Sequence, residues 1–306
     1  MRNSVQIVEV SPRDGLQNEA TFLPTPDKRE LISRLVAAGV PRIEVTSFVN
    51  PSKVPQLADA AEVCANLPGG SNVAWSGLVL NDRGLDRALA AGLGEVNLVV
   101  VATDTFSRRN QGVDTAGAVA TWTRLATRAR AAGVSVTLTV AAAFGCPFEG
   151  EVSVGRVREV LRACAVVMPD EVAFADTIGV GVPTQVEALG RVAADEVPGL
   201  ALRWHFHNTR NTGYVNAWTA VRCSDPDVAL ALDSSAGGIG GCPFAPAATG
   251  NIATADLVEM LERSGIRTGI DVDALLPLDD WLSERLGKTV PGQLGRAGRF
   301  PASSTH

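Results

Sequence analysis

Residues 5–19 read VQIVEVSPRDGLQNE, a strand-like run that breaks at once into a polar turn holding Pro12, Arg13 and Asp14. That junction decides between two α/β architectures. A doubly wound open sheet usually carries a glycine-rich turn straight after its first strand, where backbone N–H groups receive a phosphate. This chain has SPRDG there instead. Outward from the junction, short apolar runs alternate with amphipathic stretches. The runs are RIEVTSF (42–48), VAWSGLVL (73–80), EVNLVVVAT (95–103), SVTLTVAAAF (135–144), EVAFAD (171–176), LALRWHFHN (200–208) and DVALALDSS (227–235). Helical patterns lie between them. In residues 26–39, Leu31, Leu35 and Ala38 recur at helical spacing and Gly39 supplies the stop. Eight strand-then-helix units within the first 265 residues fit the about 250 residues of a (β/α)8 barrel. The expected fold class is therefore α/β, a (β/α)8 TIM barrel over residues 1–285 with extra C-terminal helix in 271–290. Residues 286–306 are expected to form a mobile tail, and Thr254 to cap the helix after the eighth strand.

Composition narrows the functional classes. Apolar residues make up 46% of the 306 positions and charged ones 20%, ordinary values for a globular chain. A net charge of -6 argues against a nucleic-acid partner, which would call for a basic face. No run of about 18 apolar residues occurs, so no membrane partner is expected. MRNSVQIVEV passes into strand pattern too early for a signal or transit peptide, and reduced thiols in a cytoplasmic setting are the simplest reading of the cysteines. The five cysteines, Cys64, Cys146, Cys164, Cys223 and Cys242, form no CxxC pair and no zinc spacing. Cys64 and Cys164 sit among apolar neighbours on helical patterns and read as buried, inert thiols.

Of three histidines, two, His205 and His207, stand one residue apart near the end of the seventh run. Residues i and i+2 of a strand face the same side, so these imidazoles point together while Trp204 and Phe206 point toward the helix layer. The C-terminal end of a barrel strand is where barrel enzymes place their chemistry. The first strand ends in Arg13 and Asp14 at the same mouth, and the loop after the eighth carries ATGN, ending at Asn251. In a closed ring, strands 7, 8 and 1 are consecutive neighbours. Asp14, His205, His207 and Asn251 would then give two oxygen and two nitrogen donors, with water or substrate completing an octahedron. That mixture suits Mg2+ or Mn2+, and the lack of thiolates argues against a structural zinc site. The bland alternative is a pair of packed core histidines, which the position at a strand's C-terminal end disfavours.

Six segments carry a resemblance. VEVSPRDGLQNE (8–19), IEVTSFVNPSKVPQLAD (43–59), AAFGCPFEG (142–150), ADTIGVG (175–181), HFHNT (205–209) and GGIGGCPFAPAATGNIATADLV (237–258) are similar to 3-hydroxy-3-methylglutaryl-CoA lyase. The resemblance spans about residues 5–285 and implies a dimeric barrel with a divalent cation. It also implies an acyl-CoA substrate, hydroxymethylglutaryl-CoA, split into acetyl-CoA and acetoacetate. Carried over by position, the metal ligands fall on Asp14, His205, His207 and Asn251. The catalytic arginine falls on Arg13, the reactive cysteine on Cys242, and the acidic helpers on Glu44 and Asp176.

The implied reaction is a retro-Claisen cleavage that leaves a thioester enolate. Arg13 stays charged and is the natural partner for the enolate oxygen; its alternative reading is a structural salt bridge with Asp14 or Glu44. Cys242 follows GGIGG, a run able to close over substrate, and its thiol is suited to donate the final proton or keep the base in register. Three groups qualify as the base: Asp14, His205 and Cys242. Cys146 in FGCPFEG is a near-duplicate of Cys242, with a shorter glycine run. Glu44 and Asp176 alternate with apolar residues, so both are expected to face the barrel interior and orient Arg13 or a histidine. Ser47 and Thr177 are candidate substrate hydrogen-bonding residues. Ala20 replaces a lysine common in the family, FADTIG replaces LGDTIG, and the segment between strands 7 and 8 is longer. These departures leave the acyl part of the substrate open. The rivals are a condensing enzyme of the same superfamily and a barrel that only binds.

Overall fold

The computed structural model describes residues 2–69, 72–242 and 245–301. Eight parallel strands close into a barrel. They are β1 (Gln6–Glu9), β2 (Arg42–Ser47), β3 (Ala74–Val79), β4 (Glu95–Val101), β5 (Ser135–Ala141), β6 (Glu171–Asp176), β7 (Ala201–Phe206) and β8 (Leu230–Ser234). Each predicted strand is present and trimmed at its ends, β6 alone keeping its full span. The ring closes where β8 pairs with both β1 and β7, in registers such as Ile7↔Leu232 and Leu230↔Leu202. Strands 7, 8 and 1 are thus neighbours, as the metal argument requires.

The apolar core lies outside the ring, between strands and helices. Trp204 and Phe206 stack with ring centroids 5.8 Å apart and meet Phe144 and Phe174 there. Helix Thr25–Ala37 buries Leu31, Ile32 and Leu35 and stops at Gly39, whose φ of 82° lies in the left-handed region. Truncating a buried leucine such as Leu31 to alanine costs about 2–5 kcal/mol, from lost burial plus the cavity left behind. The inside of the ring is different. Where most such barrels stack branched apolar residues, this one buries Arg42, Glu44, Asn97, Thr137, Thr139, Arg203, His205 and Asp233.

Two expectations are corrected. Thr254 is not the cap: the cap position is Ala253, and the Thr254 hydroxyl donates instead to Glu9 Oε2 at 2.6 Å. The helix begins one residue earlier than expected, and the Thr254 side chain is turned to a buried carboxylate instead of accepting from the N–H groups of the first turn. The segment expected to be a mobile tail is tied down through residue 301, the last one described. Gly292 N–H donates to the Gly237 carbonyl at 2.8 Å, Gln293 and Leu294 donate to Asp256, and Arg299 pairs with Glu259 and Asp273. The extra C-terminal helices are Val272–Leu286 and the short Leu294–Ala297. His306 lies outside the described residues.

Candidate active site

The SPRDG turn winds Ser11–Gly15 into one π-helical turn, closed by Gly15 N–H to the Val10 carbonyl at 3.1 Å. Such single turns recur at functional sites. This one delivers Arg13 and Asp14 to the C-terminal mouth. There the Asp14 Oδ2 atom lies 3.9 Å from His205 Nε2 and 3.7 Å from His207 Nε2. The ligand atoms of Asp14, His205 and His207 all fall within 4.8 Å of one another, close enough to share one metal ion. Asn251 joins them, its amide nitrogen 2.9 Å from Asp14 Oδ2 and 3.1 Å from the Ile239 carbonyl. An isolated backbone bridge between His207 and Asn251 locks the loop after β8 against the end of β7. All four predicted ligands therefore meet.

The chemistry of this donor set suits a hard divalent cation. Burial alone would push the Asp14 carboxyl up, but the Arg13 guanidinium, with His207 and His205, holds it well below the usual carboxylate range. Asp14 is therefore an anion and a ready ligand. His205 Nδ1 sits 3.0 Å from Asp233 Oδ2. An ionised carboxylate only accepts, so Nδ1 carries a proton, and Nε2, on the Asp14 side, is the atom that would take a metal ion once deprotonated. Burial pushes the Asp233 carboxyl up, yet Arg203 and His205 bring it below its ordinary value, which keeps it an acceptor. The enclosed charges comprise three carboxylates (Asp14, Glu44, Asp233) and two guanidinium groups (Arg13, Arg203).

Arg13 is gripped on two sides. Its Nε donates to Glu44 and its Nη1 to Asp14, which leaves Nη2 as the donor available to a substrate oxygen. Both of the alternatives raised for Arg13 are therefore realised at once: it is salt-bridged, and it lines the cavity at the mouth. That cavity measures about 370 Å3, and Thr139, Ala175, Thr177, Lys53 and Arg109 share its wall.

The remaining predicted residues divide. Glu44 faces inward, accepting from Arg13, from Asn97 at 3.0 Å and from Arg203 at 3.2 Å. Asp176 spends both oxygens on the chain that follows it. It sits at the end of β6, and its two oxygens accept the Val180 and Gly181 N–H groups at 2.9 Å, pinning the loop after that strand. Its alternation follows Phe174, which packs outward, so the inward parity belongs to Ala173 and Ala175. Thr177 lines the cavity and accepts the Ala142 N–H at 2.9 Å. Ser47 is buried in the wall of β2, outside the described lining of the cavity.

The glycine run before Cys242 has a backbone reason. Gly240 has a φ of 109°, and a Cβ there would fall 2.5 Å from the Asn251 amide nitrogen. Any side chain at this point would displace a proposed ligand. Gly241–Cys242 pairs with Ala245–Thr249 as a hairpin, and the Cys242 side chain lies outside the described residues. Its near-duplicate Cys146 is buried in the loop after β5, accepting from Thr103 Oγ1 at 3.1 Å. Burial raises the thiols of Cys64 and Cys164 to about 12, as expected of inert cysteines.

Two residues at the mouth escaped the sequence reading, Arg203 and Asp233. The signal for Arg203 was present: it stands two positions before His205 in LRWHFH and shares its inward parity. Asp233, in LALDSS, follows the same alternation on β8.

A closed barrel whose mouth gathers two histidines, a carboxylate, an amide and a free-handed arginine belongs to the class of metal-site barrel enzymes. Comparison with known proteins specifies the class. The profile of the HMGL-like family matches residues 4–281, and the chain belongs to that family, as an oxo-acid lyase. It is 45% identical to an (R)-citramalyl-CoA lyase of Chloroflexus aurantiacus, covering 96% of this chain and 95% of the relative. It is 39% identical to the mitochondrial hydroxymethylglutaryl-CoA lyase of Rattus norvegicus, covering 96% and 89%. An HMG-CoA lyase from Acinetobacter baumannii, solved in complex with coenzyme A and 3-methylmalate, superposes with a TM-score of 0.90 at 39% identity, over 98% and 96% of the two chains. Among the described residues no helix is long and apolar enough to cross a membrane.

Proposed function

We propose that this chain cleaves a 3-hydroxy-3-methyl acyl-CoA thioester by a metal-dependent retro-Claisen reaction, releasing acetyl-CoA and an oxo acid. The observation that carries the reading is the convergence of Asp14, His205 and His207 within 4.8 Å at a mouth that Arg13 also lines. Hydroxymethylglutaryl-CoA, giving acetoacetate, is the first substrate. The 45% identity to a citramalyl-CoA lyase favours a second, citramalyl-CoA, one methylene shorter and giving pyruvate. Both present the same tertiary C3 hydroxyl and methyl group, so one set of residues serves either.

Asp14, His205, His207 and Asn251 would hold Mg2+ or Mn2+, which supplies Lewis acidity at the C3 oxygen. The protein's own part is separable. Arg13 offers Nη2 to the thioester oxygen, where charge develops as the C2–C3 bond breaks. A preorganised donor of this kind is worth about 10²–10³ in rate, because it needs no reorganisation at the moment of reaction. The hydroxyl proton goes to one of three groups, Asp14, His205 or Cys242. Lys53 and Arg109 in the cavity wall give it a cationic side suited to an anionic thioester. On the family resemblance the enzyme is a homodimer, to be checked by elution at twice 31.9 kDa.

The test is direct. Purified protein with Mg2+ or Mn2+ is given each thioester, and acetoacetate and pyruvate are measured. Release of either product with acetyl-CoA supports the reading and names the substrate. Consumption of acetyl-CoA with 2-oxo acids, and cleavage of neither thioester, would replace it with a condensing enzyme.

A further inference from the structure

We infer that Arg203 is a positioning residue that couples the metal-holding half of the mouth to the substrate-facing half, a role that rests on the lyase reading above. Arg203 is 1% exposed, in the middle of β7. Its Nε donates to Asp233 Oδ1, and its Nη2 donates both to Asp233 Oδ2 at 3.0 Å and to Glu44 Oε2 at 3.2 Å. Each carboxylate is in turn committed on its other side. Asp233 Oδ2 also meets His205 Nδ1 at 3.0 Å, and Glu44 Oε1 accepts from Arg13 Nε. The result is an unbroken run, His205–Asp233–Arg203–Glu44–Arg13, with the single atom Nη2 as its pivot.

Stability alone does not account for this arrangement. A buried ion network is often no more stable than apolar residues of the same volume, because each charge must first leave water. Other barrels fill this layer with branched apolar side chains. What the run does supply is orientation. Asp233 fixes the His205 tautomer and ring plane, so that Nε2 addresses the ion position. Glu44 holds Arg13 Nε, so that Nη2 addresses the cavity. Arg203 sets the spacing between the two carboxylates through its planar fork, with Nε and Nη2 together fixing both oxygens of Asp233 while Nη2 also reaches Glu44, a geometry that the single nitrogen of lysine does not offer.

The inference is tested with Arg203→Lys, which keeps the charge and removes the bidentate fork that fixes Asp233 relative to Glu44. Mn2+ affinity is read by calorimetric titration of the substrate-free protein, and kcat and KM on the thioester that turns over. Mn2+ binding weakens about tenfold, and kcat falls about tenfold with KM little changed, the range typical of lost outer-shell partners. If both quantities stay within about twofold of the parent while only the melting temperature falls, Arg203 is a structural filler and the inference is overturned. Should Arg203→Lys not fold, Asp233→Asn, Glu44→Gln and the double variant decide it with Arg203 intact. Those two carboxylates are joined through Arg203, so their effects on kcat/KM and on the Mn2+ dissociation constant are expected to be non-multiplicative. Multiplicative effects would overturn the coupling. The Mn2+ titrations need no substrate, so a wrong substrate assignment fails separately from this one.

Discussion

At the N-terminal end of the barrel Arg42 donates through Nε to Glu95 at 2.7 Å, through Nη1 to Glu171 at 2.8 Å and through Nη2 to Thr137 at 3.2 Å. Glu171 spends its other oxygen on the Thr137 hydroxyl at 3.0 Å. That network closes on itself. At the C-terminal end Arg203 also grips two carboxylates, but the chain runs on to His205, Asp14 and Arg13, whose remaining atoms address a cavity. The same residue types, buried in the same ring, thus do different things according to where their last hydrogen bond ends. A closed network specifies the packing of the barrel. An open one presents charge to a ligand in a low-dielectric setting, where it acts most strongly.

The comparison can be broken in several ways. The largest effect should come from metal removal: dialysis against a chelator takes turnover to background, and added Mn2+ restores it. Full turnover after rigorous chelation would remove the reason for the open network. Next comes a crossed pair. Arg42→Met leaves two carboxylates without their cation and should cost about 3–5 kcal/mol in denaturant unfolding, with Mn2+ affinity unchanged. Arg13→Met should lower kcat/KM by about 10²–10³, with a smaller stability loss. Equal stability losses and equal activity losses for the two would erase the distinction between the ends. Asp233→Asn is expected to weaken Mn2+ binding about 10–100-fold, by loosening His205 rather than by removing a ligand.

The smallest effect concerns a buried carboxyl that belongs to neither network. Asp279 is 6% exposed, no cation pairs with it among the described residues, and its Oδ2 lies where Cβ atoms on Gly292 or Gly295 would stand about 3 Å away. Burial, with Asp256 and Asp280 nearby, pushes its carboxyl up to about 7. The native state then keeps a proton that the unfolded chain releases above about pH 4. Stability should therefore fall as pH rises from about 4 to 7 and flatten above that. Asp279→Asn should remove that slope and add about 1–2 kcal/mol at pH 8, read by thermal melting across pH. An unchanged slope would show that an uncompensated buried carboxyl costs nothing here, against the rule drawn from the two networks.

The barrel was legible in the sequence because strand and helix periods are local, and because SPRDG stands where an open sheet would place glycines. The pairing of His205 with His207 was legible for the same reason. The facing of Asp176 was not legible, because alternation alone does not set which parity faces inward at a strand's last residue; the outward packing of Phe174 settles it. Thr254 was misread because capping propensity ignores a buried acceptor arriving from the first strand, Glu9.

By itself the sequence determined the alternation of elements and the shared parity of the two histidines, both properties of neighbours along the chain. Only the tertiary structure decided which distant side chains meet. Asn251 reaches Asp14 across 237 positions, and Arg203 reaches Glu44 across 159. The physical reason is ring closure: when β8 pairs with β1, inward-facing residues from opposite ends of the chain enter one small enclosed layer. There each buried charge must find a partner or carry an energetic penalty, and those pairings cannot be read along the sequence.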